Sequence, residues 1–157
     1  YAVNACLPRS AANLSDVVGR LSPETNPLWK RRDVTGDGKA ETFCNQFLHA
    51  ALELLECPLP AGQLAREQIA WLDSDVGKAH GWREMARGLA VAAANAGQPV
   101  VVGWTNPNPK APSHVALGIP TPFGEEFQIA QAGAENFNAG TLRRGFGNLP
   151  VRFWVHE

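Results

Sequence analysis

Apolar positions recur at helical spacing through the first half of the chain and gather into short β-prone runs in the second. Leu14, Val17, Val18 and Leu21 share one helical face and predict a helix over 10–21, capped by Ser10. Residues 1–10 carry no period and read as an irregular arm, and 22–30, with two prolines and an Asn, reads as a loop. Phe43, Phe47, Ala50 and Leu54 predict a second helix over 42–56, which Pro58 and Pro60 end. Further helices are expected over 61–72 and 76–96, with Gly97 as the stop of the latter. The pattern then changes. Residues 100–104, 114–119, 127–131 and 151–155 are β-prone runs separated by Gly, Pro and Asn turns. Helices first and antiparallel strands afterwards predict an α+β domain with the helices on one face of the sheet.

At 157 residues the chain fits one domain, and no repeat, low-complexity tract or long linker divides it. Within it, 1–32 forms the arm and first helix, 33–57 a polar loop and the second helix, and 99–157 the sheet. The formal net charge is −1, which calls for neither nucleic acid nor an anionic membrane as partner. The longest apolar runs are too short to span a bilayer, and no signal peptide is visible. The chain opens on Tyr1 instead of Met, as a trimmed product would. Its cysteines are Cys6, Cys44 and Cys57, an odd number that leaves at least one free thiol. A Cys6–Cys57 disulfide with Cys44 free, or three reduced thiols, both suit the sequence.

Cys44 falls in the first turn of the second predicted helix, where unpaired backbone N–H groups and the positive dipole end stabilise a thiolate. The same groups can hold an oxyanion forming on an attacked carbonyl. A buried, inert cysteine is the alternative at such a place. His114 opens a predicted strand after a loop with three prolines, placed to take the thiol proton and return it to a leaving amine. The other histidines offer less: His49 points away from Cys44 on the same helix, His80 lies in a helical region and His156 is next to the terminus. An orienting partner for the imidazole is sought on the following strand, with Gln131 first and Asn136 second. Trp104, near the loop before His114, is the candidate for substrate contact, whereas Arg143 and Arg144 read as a solvated turn.

The stretch Thr42-Phe-Cys-Asn-Gln-Phe47, the run 100–104, Ser113-His-Val-Ala-Leu-Gly-Ile-Pro120 and Ile129-Ala-Gln-Ala-Gly133 followed by Asn136 resemble the CHAP and NlpC/P60-type peptidoglycan hydrolases. Phage endolysins and secreted lysins are among them, and the resemblance covers roughly 33–155. It implies a papain-like fold, Cys44 as nucleophile, His114 as base and a polar residue of the next strand as orienter. It also implies bacterial peptidoglycan as partner, action at the cell wall after secretion or phage lysis, and a monomer. Gln131 departs from the Glu, Asp, Asn or His often found at the third position. The expected reaction is amide cleavage through a thioester, as an N-acetylmuramoyl-L-alanine amidase or an endopeptidase. A secreted cysteine protease or toxin acting on protein, and a non-catalytic calcium-stabilised binding module, are the alternatives.

Just before the nucleophile, residues 33–41 match the first nine positions of a calcium loop. Asp33, Thr35 and Asp37 fall at positions one, three and five, Lys39 offers its carbonyl at seven, and Glu41 is at nine. Position twelve, normally a bidentate Glu, is Cys44. Several lysins of the resembled group carry such a loop upstream of the nucleophile. A structural Ca2+ is therefore the one cofactor expected, with none required for the chemistry.

Overall fold

Ser10 begins the first helix as its sequence predicts. In the computed structural model, which describes residues 9–157, its hydroxyl accepts the N–H of Asn13 at 3.1 Å. Helix α1 runs Ala11–Leu21 and buries Leu14, Val17, Val18 and Leu21. A single 3-10 turn, Pro27–Trp29, follows, and the Trp29 indole N–H donates to the Leu21 carbonyl at 2.8 Å while its ring meets Phe47 edge-on. Helix α2 spans Cys44–Leu54 and is buried along most of its length. Helix α3, Ala65–Asp73, starts four residues later than expected, where Glu67 accepts the Leu64 N–H at 2.9 Å. Residues 1–8 of the predicted arm, Cys6 among them, lie outside the described residues.

The segment 76–96 is not the single helix that its alanines predict. It divides into α4 (Asp75–Ala79), β1 (Trp82–Met85) and α5 (Arg87–Asn95). Gly81 makes the break at φ +98, a conformation that side chains with a Cβ rarely adopt. Burial then decides the strand. Trp82 is almost fully enclosed, and β1 pairs with the last strand in the register Trp82↔His156. Helical periodicity cannot register a gain that depends on a partner about 70 residues away.

The remaining strands are β2 (Val100–Trp104), β3 (His114–Gly118), β4 (Gln128–Gln131), β5 (Phe137–Thr141) and β6 (Arg152–His156), with the short helix α6 (Leu142–Phe146) after β5. All pairings are antiparallel, and the order across the sheet is β1-β6-β2-β3-β4-β5. The protein is an α+β domain. Strand β5 and α6 are absent from the sequence reading, because their Gly and Asn content masks the single buried Phe137 on which β5 depends. Arg143 and Arg144 are exposed, as expected, but lie in α6 and not in a turn. Arg144 pairs with Glu135 and covers the Phe137 ring at 4.5 Å.

Alternation along the strands divides the core in two. Val101, Val115, Leu117 and Trp154 face α1, α2 and α3. Val100, Val102, Ala116, Phe153 and Val155 face α5 and α6. Helices thus cover both faces of the sheet, not one. Among the described residues, no helix is long and apolar enough to cross a membrane.

Candidate active site

Cys44 is the first residue of α2, and no side chain caps that helix. Backbone N–H groups of Val115, Asn45 and Cys44 itself point at the sulfur instead. The Val115 N–H belongs to the peptide joining it to His114, so the thiol rests against the start of β3. Burial still dominates: it pushes the thiol above its ordinary range, and the three N–H groups offset only part of that.

His114 opens β3, and its Nε2 lies 2.7 Å from Gln131 Oε1. The Gln131 amide is held in turn, its Nε2 donating to the Glu135 carbonyl at 2.9 Å. With its oxygen facing the ring, Gln131 accepts from Nε2–H, and this selects the tautomer whose Nδ1 is free to take a proton. The imidazole also packs on Phe146, with ring centroids 4.7 Å apart. Gly133 supplies the remaining space, since a Cβ there would sit 3.0 Å from His114 Cε1. A Cβ on Gly145 would likewise approach Gln131 Oε1 to 2.5 Å. Burial lowers the His114 pKa, and the Gln131 bond works against that shift. The resting pair is therefore a protonated thiol and a neutral imidazole. No direct hydrogen bond joins them: the His114 ring packs on Phe146 of the second core, on the side to which its cross-strand partner Trp104 also turns, whereas Cys44 belongs to the first core, so the expected meeting of thiol and imidazole is not formed.

A groove of about 490 Å³ opens over Cys44, lined among others by Arg31, Glu41, Thr42, Asn45, Arg66 and Ser113. Arg66 and Ser113 are contributions the sequence reading missed. The Arg66 guanidinium donates to the carbonyls of Asn106 at 2.7 Å and Asn108 at 3.1 Å, and Ser113 Oγ accepts the Asn106 N–H at 2.9 Å. Together they hold the loop that delivers His114. Nothing in the sequence of α3 signals this, because Arg66 reads as an ordinary polar helix position.

Two expected site residues fall elsewhere. Asn136 does not touch His114. Its Oδ1 accepts the Gly133 N–H at 2.8 Å and its Nδ2 donates to the Trp29 carbonyl at 2.8 Å, so it fastens the turn after β4. Trp104 pairs with His114 across β2 and β3 but does not line the Cys44 groove. Strand alternation turns its ring to the α5 side, where it is half-buried against the second core.

The polar loop before α2 is closed by backbone pairing between Arg32 and Glu41. Asp33 accepts the N–H groups of Thr35, Gly36 and Gly38 at 3.1, 2.7 and 2.8 Å. These bonds, that of Gly38 foremost, hold its carboxyl below the usual range. Asp37 accepts the Lys39 N–H at 2.8 Å, and the Thr35 hydroxyl donates to Glu41 at 3.0 Å. Asp33, Asp37 and Glu41 each offer a carboxylate oxygen, all within 4.8 Å of one another. Such a hard-oxygen set fits a cation of the calcium type. Position twelve is closed to it, since the Cys44 sulfur is buried against β3.

The shifted pair dictates how stability changes with pH. The unfolded imidazole takes up a proton near its ordinary value of 6.5, whereas folded His114 resists until a lower pH. Its contribution is thus present above about 6.5 and is lost as pH falls toward the folded value. Cys44 acts in the opposite sense: the unfolded thiol ionises near 9.0 and the folded one later, so alkali beyond that point destabilises. Denaturant midpoints of the protein and of His114→Gln, measured between pH 7 and pH 5, should approach one another on acidification. Parallel curves would contradict the assignment.

Fold and site together define an α+β domain with a buried cysteine, a histidine held by an amide, and a groove over the sulfur. No protein-family model matches the chain, and no curated protein matches it either.

Proposed function

We propose that this protein is a cysteine hydrolase that cleaves an amide bond of the bacterial cell-wall peptide. The observation that carries the proposal is the arrangement at the start of β3. His114 is fixed by Gln131 at Nε2 with Nδ1 left free, and the following peptide N–H reaches the thiol at the head of α2. In the reaction, the thiol proton reaches Nδ1 of His114 through an intervening water, since no direct hydrogen bond joins the two, as sulfur attacks the carbonyl carbon. The C–N bond breaks, the amine leaves with that proton, and water then hydrolyses the thioester. The N–H groups of Cys44 and Asn45 are available to the oxyanion. The wall peptide as target rests on the resemblance of residues 42–47, 113–120 and 129–133 to the peptidoglycan hydrolases. The protein is incubated with purified sacculi and the released fragments are weighed by mass spectrometry. New amino or carboxyl termini identify the bond cut, and an absence of fragments removes the proposal.

The buried, protonated thiol without a direct bond to His114 favours, as a second reading, a calcium-stabilised binding module. Retention on sacculi without fragment release is its signature.

In either case Asp33, Asp37 and Glu41 are the proposed ligands of a structural Ca2+, with Thr35 and the Lys39 carbonyl beside them. The ion would order the segment that enters α2. At free Ca2+ of about 100 times Kd the gain is roughly 2.7 kcal/mol. That corresponds to roughly 5–10 °C of melting temperature for a domain of this size. EDTA should reverse the gain and Asp37→Asn should abolish it. A melting curve indifferent to both rules out the ion.

A further inference from the structure

Arg9, at the approach to α1, is clasped to the end of β6. One guanidinium nitrogen donates to the carbonyls of His156 at 3.3 Å and Glu157 at 2.7 Å, and a second lies 2.5 Å from His156 Nδ1. On its other side the imidazole meets the His80 carbonyl, 2.6 Å from Nε2. These two partners fix the protons of the ring. A guanidinium has donors only, so Nδ1 must accept; a carbonyl only accepts, so Nε2 must carry the hydrogen. His156 is therefore the neutral Nε2–H tautomer while the clasp is closed. The ring has little freedom to take another pose. It meets Trp82 edge-on at 5.0 Å, and a Cβ on Gly81 would lie 3.0 Å from Nε2. Ser10, the next residue after Arg9, is seated separately, since a Cβ on Gly97 would stand 2.3 Å from its Cα.

We propose that Arg9 and His156 form a proton-operated latch, closed while the imidazole is neutral and opened when it takes up a proton from solvent. A proton on Nδ1 turns the acceptor of the guanidinium into a donor aimed at it, and two cations then face each other. The Nε2–H bond to His80 is unaffected by that step, so the ring stays and Arg9 leaves. The charged and titratable groups around the ring come from four directions. They are Arg9 before α1, Glu157 after β6, His80 at the end of α4, and Glu56 and Cys57 after α2, while β1 presents the uncharged Trp82. Burial, and after it the Arg9 charge, holds the His156 pKa below 6.5, and the bonds to His80 and Glu157 work against that shift. Burial pushes the Cys57 thiol up to about 12, so it stays uncharged as the ring titrates. Opening therefore falls below pH 6.5. His156, His80 and Cys57 line a cavity that shares no residue with the Cys44 groove, so the latch stands whether or not Cys44 is a nucleophile.

The test is an NMR titration of the full chain, isotopically labelled, from about pH 7.5 to about pH 4.5. At neutral pH the ring nitrogens of His156 should report Nε2 protonated and Nδ1 bare. On acidification the His156 ring and the Arg9 side chain should change with one shared midpoint below 6.5. The nuclear Overhauser contact between them should vanish with that midpoint, while Ser10 keeps its shift. Arg9→Gln removes the facing cation and should raise the His156 midpoint by about one unit. His156→Gln takes up no proton and should abolish the Arg9 response at that midpoint. The tautomer and the shared midpoint are read on the unaltered protein and need no variant to fold. A hydrogen on Nδ1 at neutral pH, an unmoved midpoint in Arg9→Gln, an Arg9 response that persists in His156→Gln, or a change spread over the whole spectrum overturns the proposal.

Discussion

Cys44→Ala and His114→Ala should each lower the release of wall fragments by roughly ten-thousand- to million-fold, the usual cost of deleting a nucleophile or its base. The two losses should not add, because the residues act on one proton: the double variant should be about as inactive as either single one. Folding should survive. Cys44→Ala removes one buried sulfur at a helix start, a change of about 1 kcal/mol. His114→Ala leaves the Gln131 oxygen without its imidazole, a cost of about 1–3 kcal/mol. Circular dichroism and melting curves check the fold, and single-turnover release assays check the chemistry. Substantial release by Cys44→Ala would end the cysteine mechanism.

Gln131→Leu should lower kcat by roughly a hundred- to ten-thousand-fold while KM stays close to its original value. The reason is orientation. Gln131 touches no part of the groove, but its oxygen holds Nε2–H and so keeps Nδ1 available. Replacing an orienting acceptor allows the wrong tautomer, which cannot accept the thiol proton. Gln131→Glu distinguishes this positioning role from a merely structural one. The carboxylate still accepts from Nε2–H, but its charge favours the imidazolium and raises the His114 pKa. Activity should therefore be retained at neutral pH, with the acid limb of the rate profile moved to higher pH. A Gln131→Glu profile superimposable on that of the unaltered protein would show that residue 131 does not act through the imidazole.

Much of this site was legible in the linear sequence because its signals are local. A cysteine at the junction of a polar loop and an apolar helical period marks a helix start, and Cys44 occupies the first position of α2. A histidine after a proline-rich loop, leading a run of β-prone residues, marks the start of a strand, as His114 does. Distance along a hairpin favours Gln131 over Asn136, and the Gln131 side chain meets the ring. The acidic loop was legible for the same reason: its bonds join residues no more than seven positions apart. Asn136 and Trp104 resisted. Both lie close to His114 in sequence or across a strand, but their side chains are claimed by Trp29 and by the α5 face, partners that no local pattern names.

The order of hydrophobic and polar residues thus determined the α+β class, the Ser10 cap of α1 and the two residues proposed to exchange a proton. These follow from backbone preferences and periodicities that act within a few residues. The tertiary structure alone decided that 76–96 would break at Gly81 to give an edge strand, that helices would cover both sheet faces, and that Arg66 would hold the loop before His114. Each of these outcomes depends on burial or hydrogen bonding between segments distant in the chain, where the free energy belongs to the pair and to neither sequence separately.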